Sequence, residues 1–201
     1  FAVLAILAGT APASAVEPAQ AYASAQQQIQ SVTSGVASIQ AAVQKAKQQE
    51  RSAEQRIGDA VLLMGSKDYA RATNLLNEVV EKYPNHPTAY PDALSMLGEV
   101  YFRSKQYLSA RRIFKQIADK SGENRFSQYQ AKALGRLVDI ALRLKELDAL
   151  DPIFASMARV PTGAASSALA YARGKGLFAK KDFAGAKGSL ALVDPQSEYA
   201  H

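Results

Sequence analysis

The chain contains no cysteine, no tryptophan and only two histidines in 201 residues. Without cysteine there is no disulfide, no thiolate metal ligand and no lipid-modified N-terminal Cys. The histidines, His86 and His201, are far apart and neither has a second ligand beside it, which excludes a Cys/His metal site and argues against a His-based triad. The apolar run Phe1 to Ala8 is far shorter than the ~20 residues that span a bilayer. No long apolar/polar alternation suggests a strand. Gly174 and Gly176 in ARGKGLF lack the strand context of a phosphate-binding loop. Glu146, Asp148 and Asp151 crowd one turn, yet Asp148 or Asp151 reads as a helix N-cap rather than a general acid/base, since Asp151-Pro152 suits an N-cap followed by proline at the first helical position. No catalytic, cofactor-binding or metal-ligating residue is assigned.

What the chain does have is a recurring phrase, clearest in LGEVYFRSKQYLSARRIF. Leu97-Gly98, Tyr101, Tyr107, Ala110 and Phe114 fall at the spacings of the tetratricopeptide (TPR) signature, a pair of antiparallel helices in about 34 residues. Gly98 permits close helix approach, Tyr107 closes the turn, Ala110 is small at the helix crossing and Phe114 fills the wedge. Upstream, KDYARATNLLNEVVEKYP places Tyr69, Ala72, Leu76, Val79 and Pro84 in register, with Ile57, Ala60, Val61, Leu63 and Met64 as the apolar face of the first helix. Downstream, Leu134, Leu137, Val138, Ala141, Leu147, Leu150, Phe154 and Met157 fit, with Leu147 in the aromatic turn position. The last copy supplies Gly174, Leu177, Phe183, Ala186, Leu190 and Val193. Turn residues recur roughly every 36–40 positions, slightly above the consensus period. The expected fold is all-α: a TPR α-solenoid of about four helix pairs, with repeats near 53–86, 91–124, 131–160 and 167–195 of a domain 56–201. It is preceded by a long N-terminal helix. SEYAH after Pro195 reads as the opening of another first helix, so the array is expected to be truncated.

Residues 1–15, FAVLAILAGTAPASA, match the h-region and Ala-x-Ala site of a secretory signal peptide whose basic start is missing. The expectation is export, to the periplasm or outside the cell, without stable membrane insertion after cleavage.

The Ala/Gln-rich segment 16–55 carries apolar residues at alternating threes and fours. Ile29, Val36 and Val43 occupy a positions, Val32 and Ile39 d positions, which makes a coiled-coil seam. β-Branched residues at both tilt the preference towards three or more strands, so a homotrimer is one expectation. Packing within the chain and a loose helical linker are the alternatives. The helix is expected to run unbroken from about Ala19 to about Gly65, on the order of 70 Å.

The formal charge of +6 resides on the repeats, because Lys45, Lys47 and Arg51 balance Glu17, Glu50 and Glu54. An exported protein rarely meets nucleic acid, so acidic peptides, anionic head groups or glycans, or plain solvation, account for the excess. In the TPR register the concave face takes Glu99, Phe102 and Arg103 from repeat two, Arg136, Asp139 and Arg143 from repeat three, and Tyr171, Lys175 and Phe178 from repeat four. These form the expected partner-binding groove, suited to a peptide of acidic character. Arg136→Glu is expected to weaken capture without changing the melting behaviour much. His86, in the NHP turn, reads as an exposed loop residue.

The combination of signal peptide, Gln-rich coil and YPNHPTAYPDALSMLGEVYFRSKQYLSARRIFKQIA resembles the periplasmic coiled-coil TPR protein of the Tol–Pal system, the cell-division coordinator. The resemblance is close over roughly 56–120 and implies trimerisation through the coil and envelope partners bound by the repeats. In that family the repeats end the chain, whereas here the sequence continues. A non-catalytic interaction scaffold is the reading that follows. An oligomeric spacer of division, motility or secretion machinery, or a TPR module of a larger protein, is the alternative.

Overall fold

The consecutive groups of apolar positions at helical spacing leave little room for any other secondary structure, and a computed structural model shows helices joined by short turns. It describes residues 18–48, 52–161, 163 and 166–200. These fall in two compact units, one within 1–50 and one within 51–201. The proposed signal segment 1–15 lies outside the described residues.

In the first unit, helix α1 spans Pro18–Gln48. At 1.5 Å per residue it is about 46 Å long. Ile29, Val32, Val36 and Ile39 are all exposed along it, Val36 least at 48%. Hydroxyls of Thr33, Ser34 and Ser38 donate to the carbonyls of Ile29, Ser31 and Gly35, closing local bonds on the helix surface. The side chain of Val43 lies outside the described residues.

In the second unit, α2 (Ala53–Gly65) and α3 (Tyr69–Lys82) make the first pair, α4 (Ala89–Arg103) and α5 (Tyr107–Asp119) the second. The third is α6 (Ser127–Leu144) with α7 (Leu150–Met157), and the fourth α8 (Ser166–Ala179) with α9 (Phe183–Leu190). The expected four pairs are present, with their turns at the expected residues. Each first helix packs on its own second helix and on a neighbour, α3 on α4, α5 on α6 and α6 on α8. One apolar core therefore runs along the array. Ala72, Leu76, Val79, Val100, Ala110, Phe114, Ile117, Val138 and Leu150 are at most 1% exposed within it.

The glycine assignments have a steric basis. A Cβ on Gly98 would stand 2.7 Å from Cε1 of Phe114, so the wedge ring sits directly on the glycine backbone. On Gly174 it would stand 2.6 Å from Leu190. All four turns end the first helix alike: Asp68, Gln106, Glu146 and Asp182 donate their N–H five residues back, to Leu63, Tyr101, Ala141 and Leu177, at 2.8–3.0 Å. The lysine just before each, Lys67, Lys105, Lys145 and Lys181, takes a left-handed φ of 59–64°.

Four expectations need correction. The N-terminal helix does not run unbroken to Gly65. Ser52 is extended (φ −63°, ψ 164°) and forms a capping box, its Oγ accepting from Gln55 N at 3.2 Å while Gln55 Oε1 accepts from Ser52 N at 3.0 Å. Asp151 is not an N-cap, because a 3-10 turn at Leu147–Ala149 starts the helix earlier, and its carboxylate accepts from Lys180 Nζ at 2.5 Å instead. His86 is half-buried and caps α4, its Nδ1 accepting from Ala89 N at 3.1 Å where Thr88 makes no side-chain cap. Val61, assigned to an apolar face, is 46% exposed at the place that Glu99 takes one repeat later.

Candidate partner-binding surface

The first helices α4, α6 and α8 lie side by side, so equivalent positions on them meet. Glu99 on α4 is only 3% exposed, and a buried carboxylate needs a fixed counter-charge. Arg136 on α6 supplies it with two bonds, Nε to Oε1 at 2.7 Å and Nη2 to Oε2 at 3.1 Å. The same guanidinium donates to Asp139 Oδ2 at 3.2 Å, and Asp139 accepts again from Lys175 on α8. Lys132 and Arg103 approach Glu99 from the periphery at 3.7 and 4.0 Å. Burial works against the Arg136 charge, but Glu99 and Asp139 together outweigh it and hold its pKa above the ordinary value.

Aromatic rings support this ladder. The Phe102 ring lies under Arg136 at 4.6 Å and Arg143 at 5.2 Å, while Tyr107 meets Phe102 edge-on at 5.7 Å. Arg143 donates to Tyr107 Oη at 3.4 Å and has no carboxylate partner among the described residues. Lys175 stands 5.0 Å over Tyr171, whose other neighbour is Tyr199 at 5.6 Å. The sequence-predicted groove residues Glu99, Phe102, Arg103, Arg136, Asp139, Arg143, Lys175 and Tyr171 are thus one connected surface. Phe178, 62% exposed, stands beyond it against Phe183 at 5.4 Å.

Arg136 is the member whose behaviour differs from expectation. It is pinned between two carboxylates rather than held out for a ligand, so reversing its charge would place a third carboxylate beside Glu99 and Asp139. Arg136→Glu is therefore expected to lower the melting temperature as well. Among the described residues, cations without a carboxylate partner lie elsewhere, Arg143 and the turn lysines among them.

A similar inter-repeat bond ties the other end of these helices. Tyr129 Oη donates to Asp92, and burial, followed by that carboxylate, pushes the tyrosine pKa up to about 12. Nearby, Arg125 lies 5.2 Å over both Tyr90 and Phe126, with Nη1 donating to the Pro84 carbonyl at 3.2 Å.

Sequence reasoning missed a cleft beside the ladder, about 600 Å³, walled by Leu142, Leu147, Phe178 and Leu190 and edged by Tyr171, Lys145 and Lys175. The lysine found at the same place in every turn was the available signal. Among the described residues no three of His, Cys, Asp and Glu stand together as a metal site, and no helix is long and apolar enough to cross a membrane.

Residues 63–134, from the end of α2 into α6, match the tetratricopeptide repeat family. No curated protein matches the chain. Tetratricopeptide repeats are protein-interaction modules, and the matched stretch contains the whole second helix pair and, of the ladder, Glu99.

Proposed function

We propose that this protein is an exported, non-catalytic adaptor whose repeats hold protein partners in an assembly of the cell envelope. The observation that carries the interaction role is the array of four helix pairs with a tetratricopeptide match over its first half. Export is supported by the apolar run Phe1–Ala8 followed by Ala13-Ser14-Ala15. The envelope setting is supported by the layout of leader, Gln-rich coil and repeats, which resembles the coiled-coil TPR protein of the Tol–Pal system. Partners of acidic character suit the basic excess of the repeats. Chemical cross-linking in intact cells, followed by fractionation and capture of the chain, tests all three elements. Co-purification of defined envelope proteins with the periplasmic or secreted fraction is the expected result. Recovery of the chain in the cytoplasm, or uncross-linked in every fraction, overturns the proposal.

A second reading is a structural spacer that assembles through α1, favoured by its four exposed β-branched residues in heptad register. Sedimentation of the mature chain at micromolar concentration is expected to give a trimer, and Val36→Asp with Ile39→Asp a monomer with folded repeats. A wild-type monomer at all concentrations removes this reading.

A further inference from the structure

Lys67, Lys105, Lys145 and Lys181 all adopt φ of 59–64°, a left-handed conformation that glycine takes freely and a lysine takes only with strain. Each is exposed. A favourable interaction with the C-terminal end of a helix dipole offsets part of the cost at every turn. Lys145 alone adds a second circumstance, because it stands at the mouth of the apolar cleft between the third and fourth pairs. The walls are Leu142, Leu147, Phe178 and Leu190, with Phe178 62% and Leu190 41% exposed. Large apolar side chains left uncovered around a cavity mark an interaction site.

The charges around the cleft are unevenly spent. Lys175 on its wall is held by Asp139, and Glu146, next to Lys145, is held by Arg111. Asp182 is used in capping α9, accepting from Gly185 N at 2.9 Å. Among the described residues Lys145 has no carboxylate partner, while Glu146 beside it is engaged with Arg111. The chain itself seats an acidic–aromatic pair close by: Tyr199, which follows Glu198, rests against the cleft residue Tyr171.

We propose that the cleft docks an acidic peptide segment, taking one large apolar side chain between Leu142, Leu147, Phe178 and Leu190, with Lys145 binding a carboxylate beside it. This rests on reading the repeats as a protein-binding module. A fatty acid would use the same two chemistries, but the ring of Phe178 standing out at the rim suits a side chain presented from outside on a backbone.

The test is NMR of the full chain titrated with four probes: blocked Asp-Asp-Phe-Glu-Asp, Lys-Lys-Phe-Lys-Lys and Asp-Asp-Ser-Glu-Asp peptides, and decanoate. The acidic phenylalanine peptide is expected to shift Leu142, Lys145, Leu147 and Phe178, and the other two peptides to leave them in place. Lys145→Glu is expected to weaken that binding at least tenfold. Lys145→Gly, which removes the charge while relieving the backbone, is expected to weaken it several-fold in a chain at least as stable. Shifts confined to other surfaces, unchanged binding by either variant, or decanoate bound in the cleft where the peptide is not, overturn the proposal. Partner capture that survives Lys145→Glu alongside an unshifted cleft also overturns it, while leaving the protein-binding reading intact. Peptide shifts at the cleft in a chain that captures no partner support the cleft and count against the wider reading.

Discussion

Removing the guanidinium of Arg136 tests whether the charge ladder holds the array together. In Arg136→Ala, Glu99 keeps its burial, with a side chain 4% exposed, but loses both short bonds. Leaving a buried charge without its partner costs about 3–5 kcal/mol. Lys132 at 3.7 Å and Arg103 at 4.0 Å remain, and both are 54% exposed, so they can move inward and recover part of that. The expected loss is about 2–3 kcal/mol, or roughly 4–12 °C in Tm for a chain of this size. Arg136→Glu is expected to lose more, because it adds a like charge beside Glu99 and Asp139. The double variant Glu99→Gln/Arg136→Met removes the charge together with its partner and should recover to within about 1 kcal/mol of wild type. Urea unfolding monitored by circular dichroism, with thermal melts alongside, reads each value. A loss under about 0.5 kcal/mol in Arg136→Ala, or a double variant no better than the single, would refute the reasoning.

Three further outcomes follow from the same packing. Ala110 is fully buried at the crossing of α4 and α5, so Ala110→Leu is expected to overpack it and lose about 1–3 kcal/mol in urea unfolding, against no change if the crossing has room. Lys105→Gly relieves a φ of 62° and is expected to gain about 0.5–1 kcal/mol, whereas a lower urea midpoint would show that the lysine is not strained. Tyr129 has its pKa raised to about 12, so the stability it contributes is complete below its ordinary value near 10 and is lost as pH rises through 12. Absorbance titration should find a tyrosine ionising near 12 that is lost in Tyr129→Phe, and wild type should lose more stability than the variant across that interval; equal losses would contradict the assignment.

The periodic residues carried the fold without help from tertiary structure. Tyr69, Tyr107, Leu147 and Phe183 mark the turns, Ala72, Ala110 and Ala186 the crossings, and Gly98 and Gly174 the close approaches. Each acts within its own helix pair, where sequence spacing fixes which side chains meet. The first-helix rule also placed Glu99, Phe102, Arg136, Asp139 and Arg143 on one surface, because neighbouring first helices line one face of a solenoid. Local chemistry that competes with periodicity was harder to read. The Ser52–Gln55 capping box stopped a helix that the apolar pattern would have continued, and a 3-10 turn displaced Asp151 from the cap it resembles. Only the tertiary structure decided which charges cancel. Arg136 meets Glu99 from 37 residues away, and Lys175 meets Asp139 from 36, through the lateral stagger of adjacent helices. Composition records the excess of cations but not their pairing. The stagger that neutralises Arg136 and Lys175 leaves Arg143 and Lys145 without a carboxylate partner among the described residues, and the packing of α6 against α8 opens the apolar cleft beside Lys145.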